Sequence, residues 1–219
     1  MPVFLEQFGV AYFAIPKIAS TSIKRALFEV ETGEPYVRLK EHKNGVHSIY
    51  PTHHTTKADW KHAEPMWKFA VFRDPVKRIL SAYTNRVADH RDLRKAPNAR
   101  WKSRLLRISL DPDMEEFVTY LPRYMMLSGV VRHHLEGYAN FVGSDLSRLD
   151  AVYRQEELAP LETELAERIG RPVPLPRFQT STAKSGFADL APRAQRALLR
   201  FTAPDYALMN GMYEPPQAN

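Results

Sequence analysis

Residues 9–33 read GVAYFAIPKIASTSIKRALFEVETG. The run from Val10 to Ile15 is apolar throughout and is bounded by a glycine and a proline, so it predicts a buried strand. From Ser22 to Glu31 apolar residues recur at helical spacing, and we expect a helix that Thr21 or Ser22 caps and that Gly33 ends. The stretch therefore predicts a strand, a short loop and a helix in direct succession.

Residues 67–83, WKFAVFRDPVKRILSAY, repeat this order. Trp67 to Phe72 predicts a second buried strand, and Asp74 and Pro75 are typical of the N-cap and the first residue of a helix. Apolar residues continue at helical spacing as far as Val87. Two strand–loop–helix units in sequence are typical of a parallel sheet, so we expect an α/β fold with helices flanking a central parallel sheet.

The remaining patterns are weaker. We expect a short strand ending at Ser48 to Tyr50 and a basic, irregular stretch from Arg91 to Asp113. Further helices are expected at Met114 to Leu127, at Gln155 to Ile169 and at Ala191 to Phe201. Because the chain contains no internal repeat and no long linker, we predict that residues 1–219 form a single domain.

Composition limits the possible functions. The chain has no cysteine, which excludes disulfides, thiolate zinc sites and a cysteine nucleophile. No apolar run approaches the ~20 residues of a membrane-spanning helix. A signal peptide would carry a lysine or arginine near its start, and none precedes Lys17. We therefore expect a cytoplasmic protein with no stable membrane insertion. The net charge of +6 favours anionic partners.

The first loop has the composition of an anion-binding site. Lys17, Ala19 and the hydroxyl residues Ser20, Thr21 and Ser22 stand where a buried strand leads into a helix. Free backbone N–H groups and the helix dipole favour an anion there, and the side chains add further donors. A Walker ATP-binding loop requires glycines that this loop lacks. The alternative is a Ser/Thr helix cap without a ligand.

The second loop supplies an arginine at the end of a strand. Arg73 can bind a phosphate in a forked geometry, and Ser81 lies on a polar helix face with Lys77 and Asn85. The alternatives are that Arg73 pairs with a buried carboxylate and that Ser81 is an ordinary surface residue.

Together, the motifs Pro-Lys-x-x-Ser-Thr-Ser at residues 16–22 and Arg-Asp-Pro-x-x-Arg-x-x-Ser-x-Tyr at residues 73–83 resemble the two donor-binding motifs of carbohydrate sulfotransferases, in a compact bacterial form. These enzymes use 3′-phosphoadenosine 5′-phosphosulfate (PAPS) and release the bisphosphate PAP. The resemblance implies a P-loop-like three-layer α/β fold without a catalytic metal. It also implies that Lys17, Ala19, Ser20, Thr21 and Ser22 hold the 5′-phosphosulfate, and that Arg73 and Ser81 hold the 3′-phosphate. The chain departs from the family pattern at one place: where relatives commonly have Asn-x-Ser, it has Gln179-Thr180-Ser181.

Sulfuryl transfer needs a base for the acceptor hydroxyl and a positive group at the leaving oxygen. Lys17 suits the second role. His54 is our choice of base, because His54-Thr55-Thr56 resembles a segment that relatives carry between the two motifs. His53 and His47 remain alternatives, and the doublet His133-His134 could contact the acceptor or cap a helix.

The positive charge is concentrated in one stretch. Between Arg73 and Arg107 eleven lysines and arginines face only three aspartates, a local net charge of +8. This stretch predicts a negatively charged acceptor, which the resemblance makes a saccharide or glycoconjugate, or else it is a solvated face. A kinase using ATP and a nonenzymatic polyanion-binding protein are the rival functions. A nucleic-acid partner is not expected, because Trp101 is the only aromatic residue among the charges from Arg86 to Arg107.

Overall fold

The computed structural model describes residues 2–175 and 186–218. The strands are β1 (Val3–Leu5), β2 (Val10–Tyr12), β3 (Trp67–Phe72) and β4 (Ala151–Arg154). The helices are α1 (Ser20–Thr32), α2 (Lys57–Ala63), α3 (Pro75–Ala82), α4 (Ala99–Leu106), α5 (Met114–Thr119), α6 (Leu121–Leu127), α7 (Gly129–Leu135), α8 (Ala139–Val142), α9 (Ala159–Ile169) and α10 (Pro192–Met209). Short 3-10 helices lie at Glu6–Phe8, Gly45–Ser48, Leu146–Arg148 and Phe187–Asp189, and a π-helix lies at Tyr83–Asp89.

The chain divides into two compact units, each built from two segments. The first unit comprises Met1–Arg73 and Tyr138–Thr180, and it contains all four strands. The second comprises Asp74–Gly137 and Ser181–Asn219, and its described residues are helical or irregular. The single domain over residues 1–219 stays a prediction.

The sheet of the first unit has the order β1-β2-β3-β4. β2, β3 and β4 run parallel, with Val10 opposite Trp67 and Phe69 opposite Ala151, whereas β1 is an antiparallel edge strand. Every residue of β2 is buried, and β3 exposes only Lys68 in part. This burial explains the continuous apolar runs in the sequence, since a strand covered on both faces has no solvent side. The α/β class is confirmed, as is the strand at residues 67–72.

Helix α1 also agrees with the sequence. Its apolar residues Ile23, Leu27 and Val30 are buried, and Gly33 ends it in a left-handed conformation, donating its N–H to the Glu29 carbonyl at 2.9 Å. The strand expected at Ser48 to Tyr50 is wrong. This segment forms a helical turn in which the Tyr50 N–H donates to the Val46 carbonyl at 2.9 Å, and no sheet ladder forms there.

The second unit begins with α3, whose start was predicted correctly. The Asp74 carboxylate accepts the Lys77 N–H at 2.8 Å, and Pro75 is the first helical residue. The regular α-helix ends at Ala82 and continues as the π-helix, a form often found near functional sites.

Other helices of the second unit differ from the sequence prediction. The expected helix at residues 114–127 is divided at Tyr120, because Pro122, in the first turn of α6, has no N–H to continue the hydrogen bonds of α5. The stretch expected to be irregular contains α4, and α10 extends beyond Phe201 to Met209. Within residues 2–175 and 186–218, no helix is long and apolar enough to cross a membrane.

Candidate active site

The loop between β2 and α1 has a strained backbone. Lys17 and Ala19 both adopt left-handed conformations, with φ of 66° and 63°. Such conformations cost roughly 1–3 kcal/mol for a residue other than glycine, and they are held where the surrounding structure imposes them. Ile18, between them, is fully buried and anchors the loop to the core. The loop is therefore held in one unusual shape without a glycine.

This shape changes the start of α1. Ala19 occupies the N-cap position, and among the described residues no side chain caps this helix end. The expectation that Thr21 or Ser22 caps the helix is wrong, because the left-handed Ala19 lets the helix begin at Ser20. Ser20 is buried, while Thr21 and Ser22 are partly exposed in the first turn. Backbone N–H groups and hydroxyls thus gather at the positive end of α1, which favours an anion.

A buried lysine lies one turn further along α1. Lys24 has no exposed surface, and its Nζ donates to the Tyr50 carbonyl at 2.7 Å and to Thr52 Oγ1 at 2.5 Å. Burial lowers the pKa of Lys24 to about 7. Its third neighbour is His47 Nδ1 at 3.4 Å, and His47 Nε2 lies 2.8 Å from Thr21 Oγ1.

Sequence reasoning missed the link between Lys24, His47 and Thr21. One signal was available in the helix pattern: Lys24 lies on the apolar face of α1, beside Ile23 and Leu27. A lysine at such a position requires hydrogen-bond partners, because an unpaired buried ammonium is costly.

Arg73 lies at the end of β3, next to the first loop. Its Nη1 donates to the Lys17 carbonyl at 3.4 Å, and its own carbonyl accepts the Tyr138 hydroxyl at 2.6 Å. Its side chain is partly exposed. The structure thus brings together Lys17 and Arg73, which the sequence placed in two separate motifs.

The other residues of the second motif belong to the second unit. Ser81 is partly exposed on α3. Arg78 is fully buried and pairs with Asp205 at 3.1 Å, and Asp74 accepts the Tyr206 hydroxyl at 2.8 Å. Arg78 and Asp74 therefore hold α3 to α10. This structural role accounts for the presence of both residues in the second motif.

The histidines proposed as bases lie in a segment of the first unit without regular structure, residues 51–56. His53 and His54 are both exposed, and the His54 ring meets Phe141 edge-on, with centroids 5.6 Å apart. The next residue, Thr55, donates its N–H to the Asn140 carbonyl at 3.0 Å and its hydroxyl to the Phe141 carbonyl. The backbone after His54 is therefore held firmly while both imidazoles reach solvent.

The other histidines that the sequence suggested lie in helical segments. His133 and His134 lie in the last turn of α7 in the second unit. His47 lies in the 3-10 helix Gly45–Ser48 of the first unit.

Part of the basic stretch is paired with carboxylates. Arg94 forms a two-pronged ion pair with Asp111, which lowers the pKa of that carboxyl, and Arg86 and Lys95 both lie close to Asp92. Among the described residues Arg100, Lys102 and Arg104 on α4 form no ion pair. Helix α4 also exposes Trp101 and Leu105, each by 65%. Helix α4 therefore carries part of the unneutralised charge of the stretch.

Comparison with known proteins gives one result that covers both motifs. A family model described as "Sulfotransferase family" matches residues 3–208. No curated protein and no solved structure matches the chain. The family match spans nearly all of the sequence, from β1 to the last turn of α10, and it includes the loop at Lys17 and the strand end at Arg73. The chain therefore belongs to the sulfotransferase family, and it is a transferase that acts in sulfuryl transfer.

Proposed function

We propose that this protein transfers the sulfuryl group of PAPS to a hydroxyl group of a saccharide or glycoconjugate and releases PAP. The loop from Lys17 to Ser22 is the observation that supports this proposal most strongly. Its two left-handed residues, the uncapped start of α1 and three hydroxyl side chains form an anion site without the glycines of an ATP-binding loop.

In this proposal residues of both sequence motifs bind the donor. Lys17, Ala19 and the hydroxyl residues Ser20, Thr21 and Ser22 hold the 5′-phosphosulfate. Arg73 and Ser81 hold the 3′-phosphate. The hydrogen bond from Arg73 to the Lys17 carbonyl supports a donor site that includes both the first loop and Arg73, because it puts a guanidinium beside that loop.

The proposed reaction is an in-line displacement at sulfur. The acceptor oxygen forms a bond to sulfur as the bond from sulfur to the phosphate oxygen breaks. His54 takes the proton of the acceptor hydroxyl, and Lys17 stabilises the negative charge that develops on the leaving phosphate oxygen. All atoms of the donor other than the sulfuryl group leave as PAP. No metal is required in this scheme.

Donor binding is tested by calorimetry with PAP. We expect Arg73→Ala to lower the affinity for PAP about tenfold to a hundredfold, since a hydrogen bond to a charged group contributes ~1.5–3 kcal/mol, and Ser81→Ala to lower it less. Arg100→Ala, at an exposed arginine of α4, is the matched control and should bind PAP like the wild type.

Two results would contradict the proposal. Unchanged PAP affinity in folded Arg73→Ala protein would remove this arginine from the donor site. Stabilisation of the wild type against heat by ATP or by an oligonucleotide, but not by PAP, would favour the kinase or the polyanion-binding protein instead.

The proposed acceptor is negatively charged and contacts the basic stretch. We expect the triple variant Arg100→Glu, Lys102→Glu and Arg104→Glu to raise the KM for an anionic oligosaccharide about tenfold at low ionic strength, because each exposed charge contributes roughly 0.2–1 kcal/mol. The difference should shrink as salt is added. PAP affinity should stay constant.

A second triple variant controls for net charge. Arg193, Arg196 and Arg200 are exposed on α10, and their replacement by glutamate changes the charge of the protein equally. Superimposable plots of KM against ionic strength for the α4 variant and the wild type would show that α4 is only a solvated face.

A further inference from the structure

Three side chains of the first unit form a chain of hydrogen bonds that leads from the core to the first loop. It begins at the buried Lys24 amine, passes through His47 and ends at the Thr21 hydroxyl. Lys24 and His47 have no role in the reaction proposed above. Thr21 does, because it lies in the first turn of α1, where the donor phosphosulfate would bind.

The donors and acceptors along this chain can be assigned from chemistry. A lysine ammonium has three donors and no acceptor, and here they meet the Tyr50 carbonyl, Thr52 Oγ1 and His47 Nδ1. As long as Lys24 is an ammonium, His47 accepts at Nδ1, so its ring proton is on Nε2. Nε2 in turn donates to Thr21 Oγ1 at 2.8 Å.

This assignment determines whether the Thr21 hydroxyl donates or accepts in its bond with His47. When Thr21 Oγ1 accepts a hydrogen bond from His47, its own proton is available for a different acceptor. Thr21 is partly exposed at the positive end of α1, so an anion bound there would receive that proton as a hydrogen bond.

We propose that Lys24 and His47 are positioning residues for the sulfuryl donor, which orient the Thr21 hydroxyl so that it donates to the 5′-phosphosulfate. This inference rests on the proposed function. The burial of Lys24 supports it, because an apolar side chain at this buried position of α1 would avoid the cost of burying an amine. Its lowered pKa is consistent with that cost.

The first test needs no ligand. Long-range proton–nitrogen NMR on protein with labelled histidine identifies which ring nitrogen carries the proton. At pH 6, where Lys24 is mostly an ammonium, we expect His47 to carry its proton on Nε2. A proton on Nδ1 would overturn the inference.

The second test is a double-mutant cycle measured by calorimetry with PAP. We expect Thr21→Val to lower PAP affinity about tenfold or more and His47→Met to lower it about three- to tenfold. In the Thr21→Val background, His47→Met should cause no further loss, because His47 acts only through the hydroxyl that is already absent. His47→Gln, whose amide can donate in place of Nε2, should restore most of the affinity.

Controls separate positioning from a general loss of structure. Unfolding midpoints are measured for each variant, and His62→Met serves as the matched control, since His62 is exposed and bonds to Glu6. If the losses of PAP affinity caused by Thr21→Val and His47→Met add up in the double variant, His47 does not act through the Thr21 hydroxyl. That result would overturn the inference, while the proposed function would stand. A wild-type protein that fails to bind PAP would overturn both.

Discussion

Replacing His54 with alanine should lower turnover by about 10²–10⁴-fold while affinity for PAP stays nearly unchanged. A general base acts on the acceptor proton in the transition state and does not contact the bound donor. Because the His54 imidazole is exposed, added imidazole should restore part of the activity of His54→Ala. Single-turnover rates at saturating PAPS, together with PAP affinity from calorimetry, test this prediction.

His53→Ala is the matched control, since His53 is the neighbouring residue and is also exposed. It should keep most of the wild-type turnover. An active His54→Ala protein together with an inactive His53→Ala protein would assign the base to His53 instead. If both variants kept their activity, neither His53 nor His54 would be the general base.

Replacing Lys17 with asparagine should lower kcat by about 10²–10³-fold, the loss found when a group that stabilises a developing negative charge is removed. Asparagine is chosen because it tolerates the left-handed backbone found at residue 17 better than alanine does. PAP affinity should fall much less than kcat, since the charge on the leaving oxygen develops mainly in the transition state.

Lys61→Asn is the control for Lys17→Asn, because Lys61 is an exposed lysine on α2 of the same unit. It should behave like the wild type. A Lys17→Asn variant with unchanged kcat and a raised KM for PAPS would show that Lys17 only binds the donor.

Local sequence patterns were enough to predict the elements around the first loop. Apart from Lys68, the strand at residues 67–72 is apolar because both of its faces are covered, and the end of α1 and the start of α3 follow from Gly33, Asp74 and Pro75. Each of these signals acts within a few residues, so no knowledge of distant contacts was needed.

Two strands escaped sequence analysis. β1 has three residues, and β4 has four, with alternating exposure that includes a half-exposed Val152. Strands this short have little pattern of their own. Their hydrogen-bond partners lie far away in sequence, as in the pairing of Phe69 with Ala151, and these partners determine the strand.

In the second motif, too, contacts that are distant in sequence decide the role of each arginine. The sequence contains Arg73 and Arg78 five residues apart in the same motif. The structure separates them: Arg73 reaches the Lys17 carbonyl and stays partly exposed, whereas Arg78 is buried against Asp205. The packing of α10 against α3 supplies the carboxylate partner of Arg78.

By itself the sequence determined the α/β class and the order of the two strand–loop–helix units, and it predicted anion binding at residues 17–22. These properties depend on side-chain type and short spacing, which are visible in the chain. Only the tertiary structure decided that Ala19 begins α1 in a left-handed conformation and that His47 reaches Thr21, which is 26 residues away. A hydrogen bond over that separation depends on how the intervening chain folds back, and no local pattern encodes such a path.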